Sequence, residues 1–251
     1  MKTILTLAAL LALALNVSAQ QKPGAAKRPA KTPARPAAAV VSTGTAAALD
    51  ARKKDEARTA EIMEKLRAWD AKLETLSAGF TQEVNFREAG LTQSIEGRLN
   101  YARPNLIRIE HMKPSRQLVV TDKTDIWIYK PEDKQAVRTS WEAWSKTQGQ
   151  NLSGILDFGN YAALAARNNV RTRGGSNGEP LKAIFTPRSG DAYTLTLTLS
   201  ATDYFPSEAE LEVDSTVIKT RLNSVEKNGQ VDKSIFKFSP PKGVEVLELK
   251  N

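Results

Sequence analysis

Cysteine is missing from all 251 residues. That excludes disulfides, thiol catalysis and cysteine metal sites, and it leaves the fold to be held by its core alone. Lipid attachment to a cysteine behind an export signal is excluded as well. Histidine occurs once, at His111, so histidine–carboxylate metal spacing has nothing to build on. No phosphate-binding glycine loop is found. Beyond the first twenty positions no apolar run reaches the ~20 residues that a spanning helix needs. Acidic residues are missing from the first 49 positions, which carry six Lys/Arg. The rest of the chain carries thirty basic against twenty-eight acidic residues, so nearly all of the net charge of +8 sits in that leading segment. A nucleic-acid-binding face would need the excess on the folded part, interleaved with aromatics. Neither nucleic acid nor a metal or other cofactor is expected.

What is present begins with MKTILTLAALLALALNVSAQ. A lysine at position 2, an apolar run from Ile4 to Leu15, and small residues at Val17-Ser18-Ala19 make a secretory signal peptide over 1–19, cleaved after Ala19. Export without a membrane span implies a soluble mature chain. Residues 20–54 begin as an Ala/Pro/Lys-rich stretch that cannot bury enough surface to offset its ordering entropy, and they are expected to form a disordered linker. The folded domain is placed at 55–251.

From Asp55 to Leu76 the apolar residues Ile62, Leu66, Trp69, Leu73 and Leu76 fall 4, 3, 4 and 3 apart, which predicts a helix with one buried stripe. Strands follow. Phe80, Val84 and Phe86 occur in GFTQEVNFRE; Leu99 and Tyr101 alternate in GRLNYA; Leu106, Ile107 and Ile109 follow Arg103-Pro104. Leu118, Val120, Ile126 and Ile128 continue the series, and Tyr193, Leu195, Leu197 and Leu199 alternate with threonines. Asn228-Gly229 predicts a hairpin between VIKTRLNSVEK and VDKSIFKF. Residues 141–167 interrupt this pattern with Trp141, Trp144, Leu152, Ile155 and Leu156, punctuated by glycines, and are read as short inserted helices. The fold class is therefore mainly β with α: one strongly curved antiparallel sheet, an N-terminal helix and a helical insertion.

Catalysis finds no foothold. Gly174-Gly175-Ser176-Asn177-Gly178 matches G-x-S-x-G, but a nucleophile elbow needs a helix after the serine and a later histidine. Here Glu179-Pro180 follows and the only histidine lies upstream, so a glycine-rich hairpin tip is the better reading. His111 is read as a structural residue. A non-enzymatic binder is expected, with the concave sheet face either packed as a core or kept as an apolar cavity under a lid. Residue pattern alone leaves both open.

Several segments together resemble the periplasmic outer-membrane lipoprotein carrier (LolA) family. They are SAGFTQ at 77–82, G-x-L-x-Y-x-R-P-N from Gly97 to Asn105, W-x-Y-x-P at Trp127, Tyr129 and Pro131, Gln135, FTP at 185–187, and FKFSPPKGVEV from Phe236 to Val246. The resemblance implies an unclosed β-barrel of about eleven strands whose helices form a lid over a hydrophobic cavity. It implies a monomer that accepts acylated lipoproteins from an inner-membrane ABC lipoprotein-release complex and passes them to an outer-membrane lipoprotein receptor. The implied cavity residues are Leu99, Tyr101, Ile107, Ile109, Leu118, Val120, Ile126 and Ile128; the implied lid residues are Trp141, Trp144, Leu152, Ile155 and Leu156. Arg103 matches the family's functional arginine, the lid latch. An arginine beside an apolar cavity offers five donors and needs acceptors, and the free carbonyls of a helical lid would supply them. Lys123, where a turn glycine is usual, and the basic Ala/Pro linker depart from the family. The alternatives are an envelope lipid sensor similar to the sigma-E regulator RseB, which carries a second domain after its carrier-like fold, and a structural envelope module with a filled core.

Overall fold

The computed structural model describes residues 44–122, 124–143, 158–190 and 192–249. The expected signal peptide, the linker as far as residue 43, Lys123, and the lid residues Trp144, Leu152, Ile155 and Leu156 lie outside the described residues. The chain divides into two compact units, Met1–Lys54 and Asp55–Asn251.

Helix α1 spans Gly44–Ala71. It starts eleven residues before the expected position, so 44–54 are helical rather than coil; TAAALDARKK is alanine- and charge-rich, with no Gly or Pro to break it. It also ends before Leu73 and Leu76. Those two continue the 3–4 spacing but belong to the exit turn and to β1 (Thr75–Phe86), where burial alternates as Leu76, Ala78, Phe80. Helical and strand periodicity overlap here for two residues, and the phase of Leu76 fits both.

Twelve strands form one sheet: β1, β2 (Leu91–Ala102), β3 (Leu106–Lys113), β4 (Gln117–Thr121), β5 (Asp125–Lys130), β6 (Gln135–Ser140), β7 (Asn168–Arg173), β8 (Leu181–Pro187), β9 (Tyr193–Leu199), β10 (Pro206–Val213), β11 (Thr216–Lys227) and β12 (Glu245–Glu248). Their order is β12-β6-β5-β4-β3-β2-β1-β11-β10-β9-β8-β7, so the two ends of the sheet are not paired and the barrel is unclosed. All pairs are antiparallel except β12 with β6. A short helix, α2 (Tyr161–Arg167), precedes β7.

Cross-strand register sorts the side chains into two faces. Directly opposed residues on the inner face run from Ala183, Leu197 and Ala209 across Thr220, Gln82 and Ile95. Further along, Leu99, Ile109, Val119 and Ile128 oppose one another on the same face. Ile62, Met63 and Leu66 of α1, with Tyr161 and Leu164 of α2, are buried with this face. Gly97 has a specific task there. A Cβ at that position would stand 2.5 Å from the Phe80 ring and 2.2 Å from the Glu110 carbonyl oxygen, so only glycine lets Phe80 lie across β2.

Two expectations are corrected. Val231–Phe238 forms no strand and Asn228-Gly229 makes no hairpin; a 3-10 turn occupies Lys233–Phe236. Asn228 instead adopts positive φ and stitches down the exit of α1, accepting from Glu74 N (2.8 Å) and donating to Lys72 O (3.1 Å). The segment after it crosses the outer face, where Phe238 packs on Trp127 (5.4 Å) and Tyr129 (5.3 Å), and Ile235 O accepts from Arg108 (2.9 Å).

That covering explains the second correction. Leu118 and Val120 oppose Tyr129 and Trp127, on the outer face and not with the other implied cavity residues; Val119 and Thr121 take the inner positions. Val120 is buried all the same. With both faces of β4 covered, QLVVT is apolar in either phase, and alternation cannot choose between them.

Candidate functional site

The inner face meets its cover where β2 turns into β3. Tyr101 and Ile107 oppose each other at the ends of these strands, with Arg103 and Pro104 in the turn between them. Arg103 donates from Nε to Leu73 O (2.9 Å) and from Nη2 to Asp70 O (2.6 Å). These are carbonyls of the last turn and exit of α1, where helical partners run out. The guanidinium brings a permanent charge to the negative end of the helix dipole as well. Glu74 lies 3.3 Å away and is mostly exposed, so it adds little.

Asp70 was not legible as a site residue. It is 5% exposed and receives N–H bonds from Gly159 (2.5 Å) and Tyr161 (3.1 Å), at the entrance to α2. Burial raises its carboxyl above the ordinary carboxylate value, against the pull of those two donors and of Arg103. One residue therefore ties three pieces together: its carbonyl holds the β2–β3 turn, and its carboxylate holds the 158–161 segment. The signal in the sequence was a lone acid on the apolar side of an amphipathic helix, next to Trp69.

Aromatics fill the joint. Trp69 packs with Phe158, Tyr161 and Phe205 at 6.5, 6.4 and 5.3 Å, and Phe158 also meets Tyr101 at 5.9 Å. Near its middle, α1 is fastened by Thr59 Oγ1, which bonds Thr172 Oγ1 (3.0 Å) and accepts from Thr172 N (3.2 Å).

The implied cavity residues Leu99, Tyr101, Ile109, Ile126 and Ile128 are buried on the inner face, and Ile107 is half-buried there. Leu118 and Val120 are not among them. Of the implied lid, Trp141 lies in a helical stretch described at 141–143. His111 lies on the inner face against Phe80 (ring centroids 5.8 Å), and burial lowers it to about 4, so it is neutral at pH 7. The Gly174–Gly178 run is the β7–β8 hairpin tip, with positive φ at Gly174, Gly175, Asn177 and Gly178 and no elbow geometry. Among the described residues no group of three or more His, Cys, Asp or Glu could hold a metal. A groove of about 640 Å³ on the outer face mixes polar and apolar lining, and two of its charge pairs are Arg221–Glu208 (2.6 Å) and Lys219–Glu210 (3.2 Å).

The site is an unclosed half-barrel whose inner face is largely apolar but carries Thr220 and Gln82, with a helix held at the β2–β3 turn through backbone carbonyls. Comparison narrows this: the chain belongs to the outer membrane lipoprotein carrier protein LolA family, whose model matches residues 71–239. It is 32% identical over 167 residues to an outer-membrane lipoprotein carrier protein of Sodalis glossinidius, covering 66% of this chain and 78% of that one. It is 28% identical over 190 residues to the protein of the same name from Neisseria meningitidis, covering 75% and 87%. Among solved structures, a LolA-superfamily protein of Nitrosomonas europaea aligns with a TM-score of 0.42 at 12% identity, covering 72% of this chain and 97% of that one. The matched stretches acquire physical roles here. The FTQ phenylalanine lies over the glycine of G-x-L-x-Y, and the phenylalanine of FSPP lies on the W-x-Y pair.

Proposed function

We propose that this protein is a periplasmic carrier that shields the acyl chains of lipoproteins on its inner face and moves them from the inner to the outer membrane. The observation that carries the reading is the Arg103 clasp. A cation that cannot be neutralised is bonded to two carbonyls at the end of the covering helix, beside an apolar face. Each such bond is worth ~1.5–3 kcal/mol, strong enough to close the cover and weak enough to reopen when chains enter.

The magnitudes support a dedicated carrier. Burying one CH₂ is worth about 0.8 kcal/mol, so a fifteen-carbon chain costs on the order of 12 kcal/mol to leave in water. Multiply acylated cargo therefore needs cover throughout its crossing. Handover from an inner-membrane ABC release complex to an outer-membrane receptor can be direct, with no nucleotide chemistry and no catalysis in this chain. The leader over 1–19, removed after Ala19, and the linker behind it belong to the same proposal, as does a monomeric carrier.

The test is uptake. Purified protein is incubated with inner membranes that release lipoproteins, and the soluble fraction is assayed for an acylated polypeptide in stable complex. A complex is expected with the parent; its absence overturns carriage. Arg103→Leu is expected to fold normally by circular dichroism and to fail in passing cargo onward. Undiminished transfer would remove the clasp from the mechanism.

A further inference from the structure

Tyr101 stands on the inner face, opposite Leu76 on one side and Ile107 on the other. Its side chain is 1% exposed, and its hydroxyl has no hydrogen-bond partner among the described residues. The contrast with Tyr193 is direct. That residue is equally part of the inner face, and its hydroxyl donates to Asn168 Oδ1 at 2.8 Å. Buried hydroxyls are almost always satisfied, because leaving one unmade carries the full desolvation penalty with no return.

The position of the hydroxyl is informative. A Cβ placed on Gly159 would lie 2.4 Å from it, so the oxygen sits directly against the backbone of the 158–161 segment. That segment is held by Asp70 through the N–H groups of Gly159 and Tyr161. Closing the Asp70 clasp covers the hydroxyl; lifting the segment uncovers it at the mouth of the apolar face. Burial raises the phenol to about 12, so it stays protonated and able to donate throughout the physiological range.

We infer that the Tyr101 hydroxyl is a hydrogen-bond donor to the acyl carbonyl of the cargo, so that the site recognises acyl esters and amides and not hydrocarbon in general. This rests on the carrier reading and deepens it. An acyl chain carries its one strong acceptor, the carbonyl oxygen, where the hydrocarbon ends. A chain lying along the inner face would bring that oxygen to the rim where Tyr101 stands.

The experiment uses the purified protein and two neutral probes with sixteen-carbon chains, dipalmitoylglycerol (diester) and dihexadecylglycerol (diether), each competing with a bound fluorescent fatty-chain dye. The parent is expected to bind the diester about tenfold more tightly. Tyr101→Phe, which removes only the oxygen, is expected to bring the diester to within about twofold of the diether. Equal binding of the two by the parent, or an undiminished preference in Tyr101→Phe, overturns this inference and leaves carriage intact. Failure of both probes to displace the dye overturns carriage and this inference together. Stability provides a second check. The empty Tyr101→Phe protein is expected to melt within about 2 °C of the parent, since no bond is lost. A larger fall would mean that the hydroxyl has a partner within the protein, and would also overturn the inference.

Discussion

On the half of the inner face made by β7 to β10, Phe185, Leu195 and Leu197 are buried together with Leu66 of α1 and Tyr161 and Leu164 of α2, and none of the six is more than 1% exposed. On the half made by β3 to β6, Ile126 and Ile109 are 2% and 4% exposed but Ile107 and Val137 are only half-buried; the first half in turn keeps 7% and 8% at Leu211 and Tyr193 and a half-buried Val170. The same strand chemistry thus carries the tightest cluster, six residues at 1% exposure or less, on one side, and the two halves otherwise differ only in degree. The difference lies in the cover. Helix α1 is fastened at Thr59–Thr172 and again at Arg103, so its apolar stripe closes the first half and stops at the β2–β3 turn. The tighter half supplies more of the stability than the looser one.

The sharpest way to break this comparison is to damage the tighter half. Phe185→Ala leaves a cavity among fully buried neighbours and is expected to cost about 3–5 kcal/mol in urea unfolding. A cost below about 1 kcal/mol would mean that this half is not the core that holds the domain.

The second effect is nearly as large and depends on pH. His111 sits on the inner face with its pKa lowered to about 4 by burial, against an ordinary value of 6.5. Between these two values the unfolded chain binds a proton that the folded chain refuses. Stability is therefore complete above pH 6.5 and falls as the pH drops towards 4, by on the order of 3 kcal/mol. Unfolding free energies measured across that window for the parent and for His111→Gln should differ in slope, with the variant flatter. Parallel curves would place His111 in a hydrated setting and the inner face with it.

How much of this was legible follows from the same physics. The β9 alternation YTLTLTL was readable because one face is buried and the other polar, and the structure keeps that pattern residue for residue. Arg103 was readable as a latch only through the family resemblance, since spacing alone shows a cation at a strand end. Leu118 and Val120 went to the wrong face because the C-terminal segment covers the outer side of β4, a contact about 115 residues away in sequence that no local pattern encodes. Asn228-Gly229 carries a true local turn preference, but its side chain is spent on the exit of α1. Asp70 was invisible for a related reason. A buried acid on an apolar stripe is explained only by the two N–H groups that come to it from residues 159 and 161.

The smallest expected effect tests the looser half, and it depends on a dissociation between two measurements. Ile107→Ala removes apolar surface from a half-buried position, so unfolding should shift by about 1 kcal/mol or less. If acyl chains lie on this half, the same change removes contact with them, and affinity for a fatty-chain dye should fall several-fold, at about 0.8 kcal/mol per lost methylene contact. Val120→Ala is the matched control from the outer face of the neighbouring strand, where the residue is 1% exposed. It should cost more stability than Ile107→Ala and leave dye affinity where it was. Equal losses of affinity from both variants would mean that binding follows global stability. Loss from Val120→Ala alone would move the binding surface to the other side of the sheet.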